Sequence, residues 1–501
     1  MASMRDFIKG IATVLPEIPK PERKPSLNER FIWTAFALVA YLVMAVTPLC
    51  GFGGHANSTS TGVCAIRSST GSDSLAFLRV VFASTQGTLM ELGIGPIVTA
   101  GLILQLLVGS DIIKLDMSNP EDRSIFGSST KLLTFIVIVG ESMAYIFGGA
   151  LGSLPGGAGQ ELIIFIQLFL GSIAVLLLDE MIQKGWGIGS GVSLFILAGV
   201  CQTVMWYTFT PISVAVTQTT QEIFGFIPAV INAIFNTGFT YTTLLTIAVR
   251  QYKYPSLLTF VLTVVMILVL IYIEGIRVEL PITSTRYRGF QGVYPIKLLY
   301  VSNIPVILVS ALGANITFFG KLIQHYQCPT GTCPSGSWIN YLGTWQVING
   351  TQQSNPSGGL LYYLTAPQGV DQTIADPLHS LIYLLYLVGM AVVFARLWVE
   401  IGGLNPRAVA KNLMDADVQV PGFRRTGLSI EQVLNRYIPT LTIIGGIMIG
   451  LIAGVSDLFG VFGSGIGILL MVDIILQYYQ MLLKEQVEEI SPALAGLIGA
   501  G

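Results

Sequence analysis

Apolar segments of about 20 residues, the length a helix needs to cross about 30 Å of hydrocarbon, recur along nearly the whole chain. They fall near 31–50, 90–109, 130–151, 161–181, 188–208, 257–276, 299–318, 378–398, 438–456 and 463–483. What remains between them is too short for a large soluble domain. Composition agrees: 52% of the 501 residues are hydrophobic and 11% charged, which marks a polytopic membrane protein. An even number of spans puts both termini on one side.

Charge placement says which side. Of the 26 lysines and arginines, only Arg67, Arg79, Arg250, Lys253 and Lys321 fall outside or near the outer face if both termini are cytoplasmic. The positive-inside bias therefore sets the orientation. The net charge of -2 argues against a broadly basic nucleic-acid surface. Residues 1–25 do not form a signal peptide, because the run Ile11 to Leu15 is short and Pro16 and Pro19 break the chain just after it. An amphipathic helix on the inner membrane surface is the expectation there.

Cys50 and Cys64 flank one predicted outer loop, and Cys328 and Cys333 lie close together in another, so two external disulfides or four free thiols both fit. Cys201 sits inside a span. The sequons at Asn57 and Asn349 fall in the same outer loops, whereas the one at Asn315 lies within a span.

The apolar run from Ser74 to Thr85 is too short to cross. It must be re-entrant or peripheral, since membrane-depth backbone that fails to span has to be buried in protein or line a cavity. Arg79 at its middle disfavours simple lipid exposure. Two long cytoplasmic loops, 277–297 and 396–437, are basic. Part of that charge serves topology, and it also suits docking to something anionic, such as ribosomal RNA. Gly187-Ile188-Gly189-Ser190-Gly191-Val192 opens the fifth span and Gly463-Ser464-Gly465-Ile466-Gly467-Ile468 opens the tenth. Five spans apart, the two helices run in opposite directions, as in an inverted repeat, although glycines also suit close helix packing.

Catalytic constellations are not evident. The only histidines, His55, His325 and His379, are scattered, and no HExxH, CxxC or P-loop lysine motif occurs. No cofactor and no enzymatic activity are expected, and an intramembrane protease fails for want of a catalytic pair. Glu141 and Asp473 are the clearest ionisable groups inside spans, fewer than a proton- or sodium-coupled carrier usually needs. A small-solute secondary transporter with inverted repeats is nevertheless the rival reading.

Pro16-Glu17-Ile18-Pro19-Lys20-Pro21-Glu22-Arg23-Lys24 resembles the amino-terminal stretch of the alpha subunit of the eukaryotic Sec translocon. In order come Leu92-Gly93-Ile94-Gly95-Pro96-Ile97-Val98-Thr99, Gly187 to Gly191, Tyr294-Pro295-Ile296-Lys297, Ser302-Asn303-Ile304-Pro305-Val306-Ile307, Asp376-Pro377 and Asn435-Arg436-Tyr437-Ile438-Pro439. Over essentially its whole length the chain resembles the SecY family, on its archaeal and eukaryotic side. The resemblance implies an all-α membrane protein of ten transmembrane helices in two inverted five-helix halves, at 31–208 and 257–483, joined by an external connection, 209–256. The remainder would be a cytoplasmic segment 1–30, an external loop 319–377 and a cytoplasmic tail 484–501.

The resemblance also implies roles. A midplane pore ring would comprise Ile94, Val98, Val192, Ile196, Ile307 and Leu470, apolar enough to dewet and flexible enough to part. The plug would be Ser74, Leu75, Ala76, Phe77, Leu78, Arg79, Val80, Val81, Phe82, Ala83, Ser84 and Thr85. Thr99, Glu141 and Asn315 would hold a lateral gate, although the family often has a neutral side chain where Glu141 sits. Arg286, Arg288, Arg424 and Arg425 would dock the ribosome. The implied function is the pore-forming subunit of the Sec translocon, moving unfolded secretory chains across the membrane and releasing hydrophobic segments sideways into lipid. Partners would be small Sec subunits of the gamma (SecE) and beta type, the ribosome, signal sequences, nascent chains and lipid. The expected location is the cell membrane of an archaeon.

Overall fold

The computed structural model describes residues 16–23, 25–50, 82–110, 112–113, 115, 120–148, 157–215, 221–237, 248, 250, 254–284, 291–301, 304–328, 337–345, 347–348, 351–352, 356–367, 369–415, 418–419 and 427–490. Ten helices carry it: α1 Leu27–Val46, α2 Gly95–Gly109, α3 Pro120–Phe147, α4 Gly157–Met181, α5 Gly191–Phe209, α6 Leu257–Glu274, α7 Ile304–Gln327, α8 Pro377–Ile401, α9 Gly427–Leu458 and α10 Gly465–Ile490. Among the described residues, nine of these are long and apolar enough to cross a membrane, and α2 is the short one.

Local chemistry starts these helices where they start. Ser26 accepts the Glu29 N–H at 3.3 Å while the Glu29 carboxylate accepts the Ser26 N–H at 3.1 Å, so two orphan donors at the head of α1 are satisfied reciprocally. Ser256 and Thr259 repeat the arrangement at the head of α6. Asp376 accepts from the His379 N–H at 3.2 Å, and Pro377 takes the first position of α8, where no N–H is needed.

Several bounds differ from the hydropathy reading. Residues 90–94, expected in the second span, are non-helical and buried, with Glu91 accepting the Gly87 N–H at 2.5 Å. Such backbone is tolerated at membrane depth because protein encloses it. Gly93 has a φ of 55°, and a Cβ there would sit 2.1 Å from the Phe82 carbonyl oxygen, so a side chain is excluded twice over. The ninth helix begins at Gly427 and runs through Pro439, because its first turns belong to a platform built with the end of α8. The described part of the amino-terminal segment, from Pro16, is irregular up to α1, and residues 1–15 lie outside the described residues.

That platform holds the non-helical surprise. β1 Arg277–Ser284 pairs antiparallel with β2 Gln291–Lys297 and, at its far end, with β3 Val418–Gln419, through Thr283 opposite Gln419 and Ser284 opposite Val418. An apolar cluster of Ile296, Val399, Leu413, Ile430 and Leu434 seats the sheet, the end of α8, the helix Pro406–Asp415 and the start of α9 on one another.

Within the bundle, α9 lies along α8 so closely that a Cβ on Gly446 or Gly450 would stand 3.0 Å and 2.8 Å from the Val392 and Val388 Cα atoms. Small residues of this kind let membrane helices approach where lipid supplies no hydrophobic drive. The two halves meet along α2 with α7 and α8, and along α5 with α10. Elsewhere the helices present apolar faces outward, as with Ile32, Phe36 and Val43 on α1 and Leu268 on α6.

Candidate functional site

Where the halves meet, one apolar cluster runs through the bundle. Ile94, at the head of α2, Ile196 of α5 and Leu470 of α10 are each 0% exposed within it. Val98, Val192 and Ile307 are half-buried against it, so all six candidate ring residues belong to or pack on this one cluster.

Phe82 and Ala83 belong to the same cluster. The Ile94 N–H donates to the Phe82 carbonyl at 2.8 Å, and the Tyr41 hydroxyl of α1 donates to the Ala83 carbonyl at 2.8 Å. Tyr41 stacks in turn on Phe195, centroids 4.9 Å apart, beside Ile196. The root of the candidate plug, Phe82 to Thr85, is therefore fastened to the ring helices, whereas Ser74 to Val81, Arg79 included, lie outside the described residues.

Beside the cluster, the three candidate gate residues form one chain of hydrogen bonds. Asn315 of α7 donates to the Thr99 hydroxyl of α2 at 3.1 Å, and Thr99 bonds the Glu141 carboxyl group of α3. All three lie along the seam where α2 meets α7. Tyr145 of α3 stacks on Phe318 of α7 at 4.9 Å, an aromatic bridge that adjacency in sequence does not disclose.

Arg286, Arg288, Arg424 and Arg425 lie outside the described residues, but the strands that lead to both segments are paired on one sheet, at Thr283 and Ser284 with Gln419 and Val418. Cys50 and Cys328 are disulfide-bonded, Cys201 carries a free thiol, and Cys64, Cys333, Asn57 and Asn349 lie outside the described residues.

The model of the SecY family matches residues 88–479. The chain belongs to the SecY family. The protein transport protein Sec61 subunit alpha of Dictyostelium discoideum is 40% identical over 494 residues, covering 98% of each chain. A solved SecY structure, whose plug domain stabilises the closed state of the translocation channel and maintains a membrane seal, superposes with a TM-score of 0.75 at 33% identity, covering 97% of this chain and 98% of that one. Sec61 in the canine ribosome-channel complex from the endoplasmic reticulum gives the same score, identity and coverage.

As a SecY-family member the chain is a multi-pass membrane protein of the ten-helix fold. Its buried acids exceed what hydropathy singled out. Besides Glu141 and Asp473, Asp179, Glu274 and Asp457 are buried at 5%, 6% and 5% exposure. Glu274 of α6, with the Lys297 ammonium 3.9 Å away, and Asp473 of α10 line one small cavity together with Leu270, Leu299, Ile449, Leu469 and Val472. Each of the three additional acids sits within a few residues of a helix end, where a charge in sequence reads as an ordinary boundary.

Proposed function

We propose that this chain is the central pore-forming subunit of a Sec translocon, passing unfolded secretory chains through the aliphatic ring and releasing hydrophobic segments into lipid between α2 and α7. The observation that carries this reading is the gathering of Ile94, Val98, Val192, Ile196, Ile307 and Leu470 in one apolar cluster where the two halves touch. A ring of that chemistry dewets when shut, so ions do not leak, and aliphatic side chains yield to a polypeptide without binding it. The polar chain Asn315–Thr99–Glu141 would close the sideways exit until a segment of sufficient hydrophobicity partitions between the helices. The run from Ser74 to Thr85 would be the plug, anchored through the Tyr41–Ala83 bond. The external disulfides would be Cys50–Cys64 and Cys328–Cys333. A small-solute carrier would need convergent polar groups where this cluster is aliphatic.

The chain has no catalytic role in this reading; energy comes from its partners. Those partners would be small gamma- and beta-type subunits and a ribosome, the latter docked through Arg286, Arg288, Arg424 and Arg425. The membrane would be one that secretory chains cross outward from the cytoplasm. The cell membrane is one reading, and the Dictyostelium relative favours the endoplasmic reticulum of a eukaryote as the second. Fluorescence of the tagged chain in its own cells separates them. The test of function is reconstitution of the protein with its small subunits and a translocating ribosome: a secretory precursor should become protease-protected. An otherwise competent set that gives no protection sinks the channel reading.

A further inference from the structure

The two glycine-rich helix starts are held by the same set of contacts. In the first half, the Asp179 carboxylate, near the end of α4, accepts the backbone N–H of Val192 at 2.9 Å and that of Gly191. In the second, the Asp457 carboxylate, near the end of α9, accepts the N–H of Gly465 at 2.6 Å. Three residues before each of these glycines the pattern repeats: the Ile188 N–H donates to the Thr34 hydroxyl of α1 at 3.0 Å, and the Phe462 N–H to the Thr263 hydroxyl of α6 at 3.1 Å. Each threonine also donates to the carbonyl four residues back in its own helix, Arg30 at 2.8 Å and Thr259 at 2.7 Å.

Backbone geometry follows the same symmetry at the glycine, though the next residue differs, with Ser190 extended and Ser464 at a φ of 78°. Gly189 and Gly463 have φ of 77° and 75°, so both turns use the left-handed region that side chains avoid. A Cβ on Gly191 would lie 2.6 Å from the Asp179 Cα, and one on Gly465 would lie 2.3 Å from the Ala453 carbonyl oxygen and 2.8 Å from the Asp457 nitrogen. Both helix starts are pressed against the preceding helix and pinned by its aspartate. Helices α4 and α9, α5 and α10, and α1 and α6 are the pairs that an inverted repeat relates. One clamp therefore sits at the cytoplasmic end of α5 and its counterpart at the outer end of α10.

The register then reaches the ring. Ile196 lies beyond Gly191 by the same interval as Leu470 beyond Gly465, and both are fully buried in the central cluster. The clamps are also tied to other helices, because Tyr478 of α10 donates to the Ser190 carbonyl at 3.2 Å within the first clamp, while Tyr383 of α8 donates to Asp457 at 2.8 Å in the second.

We propose that the Asp179–Thr34 and Asp457–Thr263 clamps are positioning devices that fix the depth of α5 and α10, so that Ile196 and Leu470 meet at one level and seal the pore. The proposal rests on the reading of these side chains as the pore ring. A clamp that gives way lets its helix slide or tilt, and one ring residue leaves the level of the other. Loss of one buried hydrogen bond is enough to shift such an equilibrium by up to about ten-fold.

The experiment measures resting chloride efflux from liposomes holding the full-length protein with its small subunits, beside the Tm of each variant. Asp457→Ala and Thr263→Val, each of which removes the acceptor, are expected to raise efflux about ten-fold. Thr263→Ser, which keeps the hydroxyl, should restore the parental rate. Thr442→Val is the control, removing a buried hydroxyl that bonds only the Ile438 carbonyl of its own helix, and it should leave efflux unchanged. Leu470→Gly tests the ring itself. If Leu470→Gly leaks while Asp457→Ala and Thr263→Val stay at the parental rate, the clamp proposal is overturned and the ring reading stands. Should Thr442→Val leak as much as Thr263→Val at an equal loss of Tm, general loosening replaces the clamp. If Leu470→Gly does not leak, the ring reading fails and the clamp proposal fails with it.

Discussion

Asn315 uses its amide nitrogen twice, toward the Thr99 hydroxyl and toward the Ala311 carbonyl of its own helix at 2.9 Å. Only the first bond crosses the seam. Hydrogen bonds between membrane helices average about 0.6 kcal/mol and reach about 2, because the separated helices find other partners. Asn315→Leu should therefore lower the hydrophobicity that a segment needs for lateral release by a modest amount, raising integration of a marginal test segment about three-fold. Thr99→Val should act in the same direction and more strongly, since it also removes the bond to Glu141, and the double variant should gain little over Thr99→Val alone. An unchanged integration threshold in both variants would count against the gate. The three candidate gate positions, which the structure joins by hydrogen bonds, were picked out through the family motifs around them. Tyr145 and Phe318, which stack across the same seam, were not, because nothing local marks two aromatic residues so far apart in the chain as partners.

At the scale of elements, the described amino-terminal segment is tied down by the turn at the end of α4. Lys184 of the π-helical turn Ile182–Trp186 pairs with Glu17 and Glu180 and donates to the Ile18 carbonyl at 2.5 Å, and Trp186 donates to the Pro19 carbonyl at 2.9 Å. The hydrogen bond from Lys184, and then its charge, hold the Glu17 carboxyl below its ordinary 4.5. A carboxylate held down stabilises the tied form above its unfolded value and loses that contribution as pH falls through the lowered one. The strap should be intact at neutral pH and loosen only below the ordinary carboxylate range. Hydroxyl-radical footprinting of the half-buried Ile18 side chain tests this: protection should fall only in that acid window, and Lys184→Met should remove it already at pH 7. Equal protection in the variant at pH 7 would show that Lys184 does not hold the strap. An amphipathic helix was the sequence expectation for residues 1–25, and what the structure describes from Pro16 onward is an irregular strap. With Pro16, Pro19 and Pro21 in it, an extended path held by backbone carbonyls is the better physical solution. The strands of the platform were equally hard to read. Val278, Leu280 and Ile282 alternate as a strand should, but Pro281 interrupts the run, and β3 is only two residues long.

The whole molecule is two five-helix halves that meet around aliphatic side chains, with polar contacts at the edges. The number and order of the helices were legible because about 20 apolar residues have few alternatives in a chain this poor in charge. The clamps were half legible: the repeated glycines stood out in the sequence, but the aspartates and threonines that use them come from other helices. On the platform, pairing of β1 with β3 joins the strands that lead to both arginine segments. Reversing Arg286 and Arg288, or Arg424 and Arg425, should weaken ribosome docking at moderate salt and flatten its salt dependence, as expected when phosphate contacts are lost. Unchanged affinity and slope in both variants would remove these residues from the interface. The channel itself is tested most directly by placing a photoreactive side chain at Ile196 or Leu470, with outward-facing Leu268 as control, and arresting a secretory precursor midway. Cross-links to the precursor from both buried positions and none from Leu268 are predicted. A precursor that is protease-protected yet never cross-links to Ile196 or Leu470 would contradict the ring as its path.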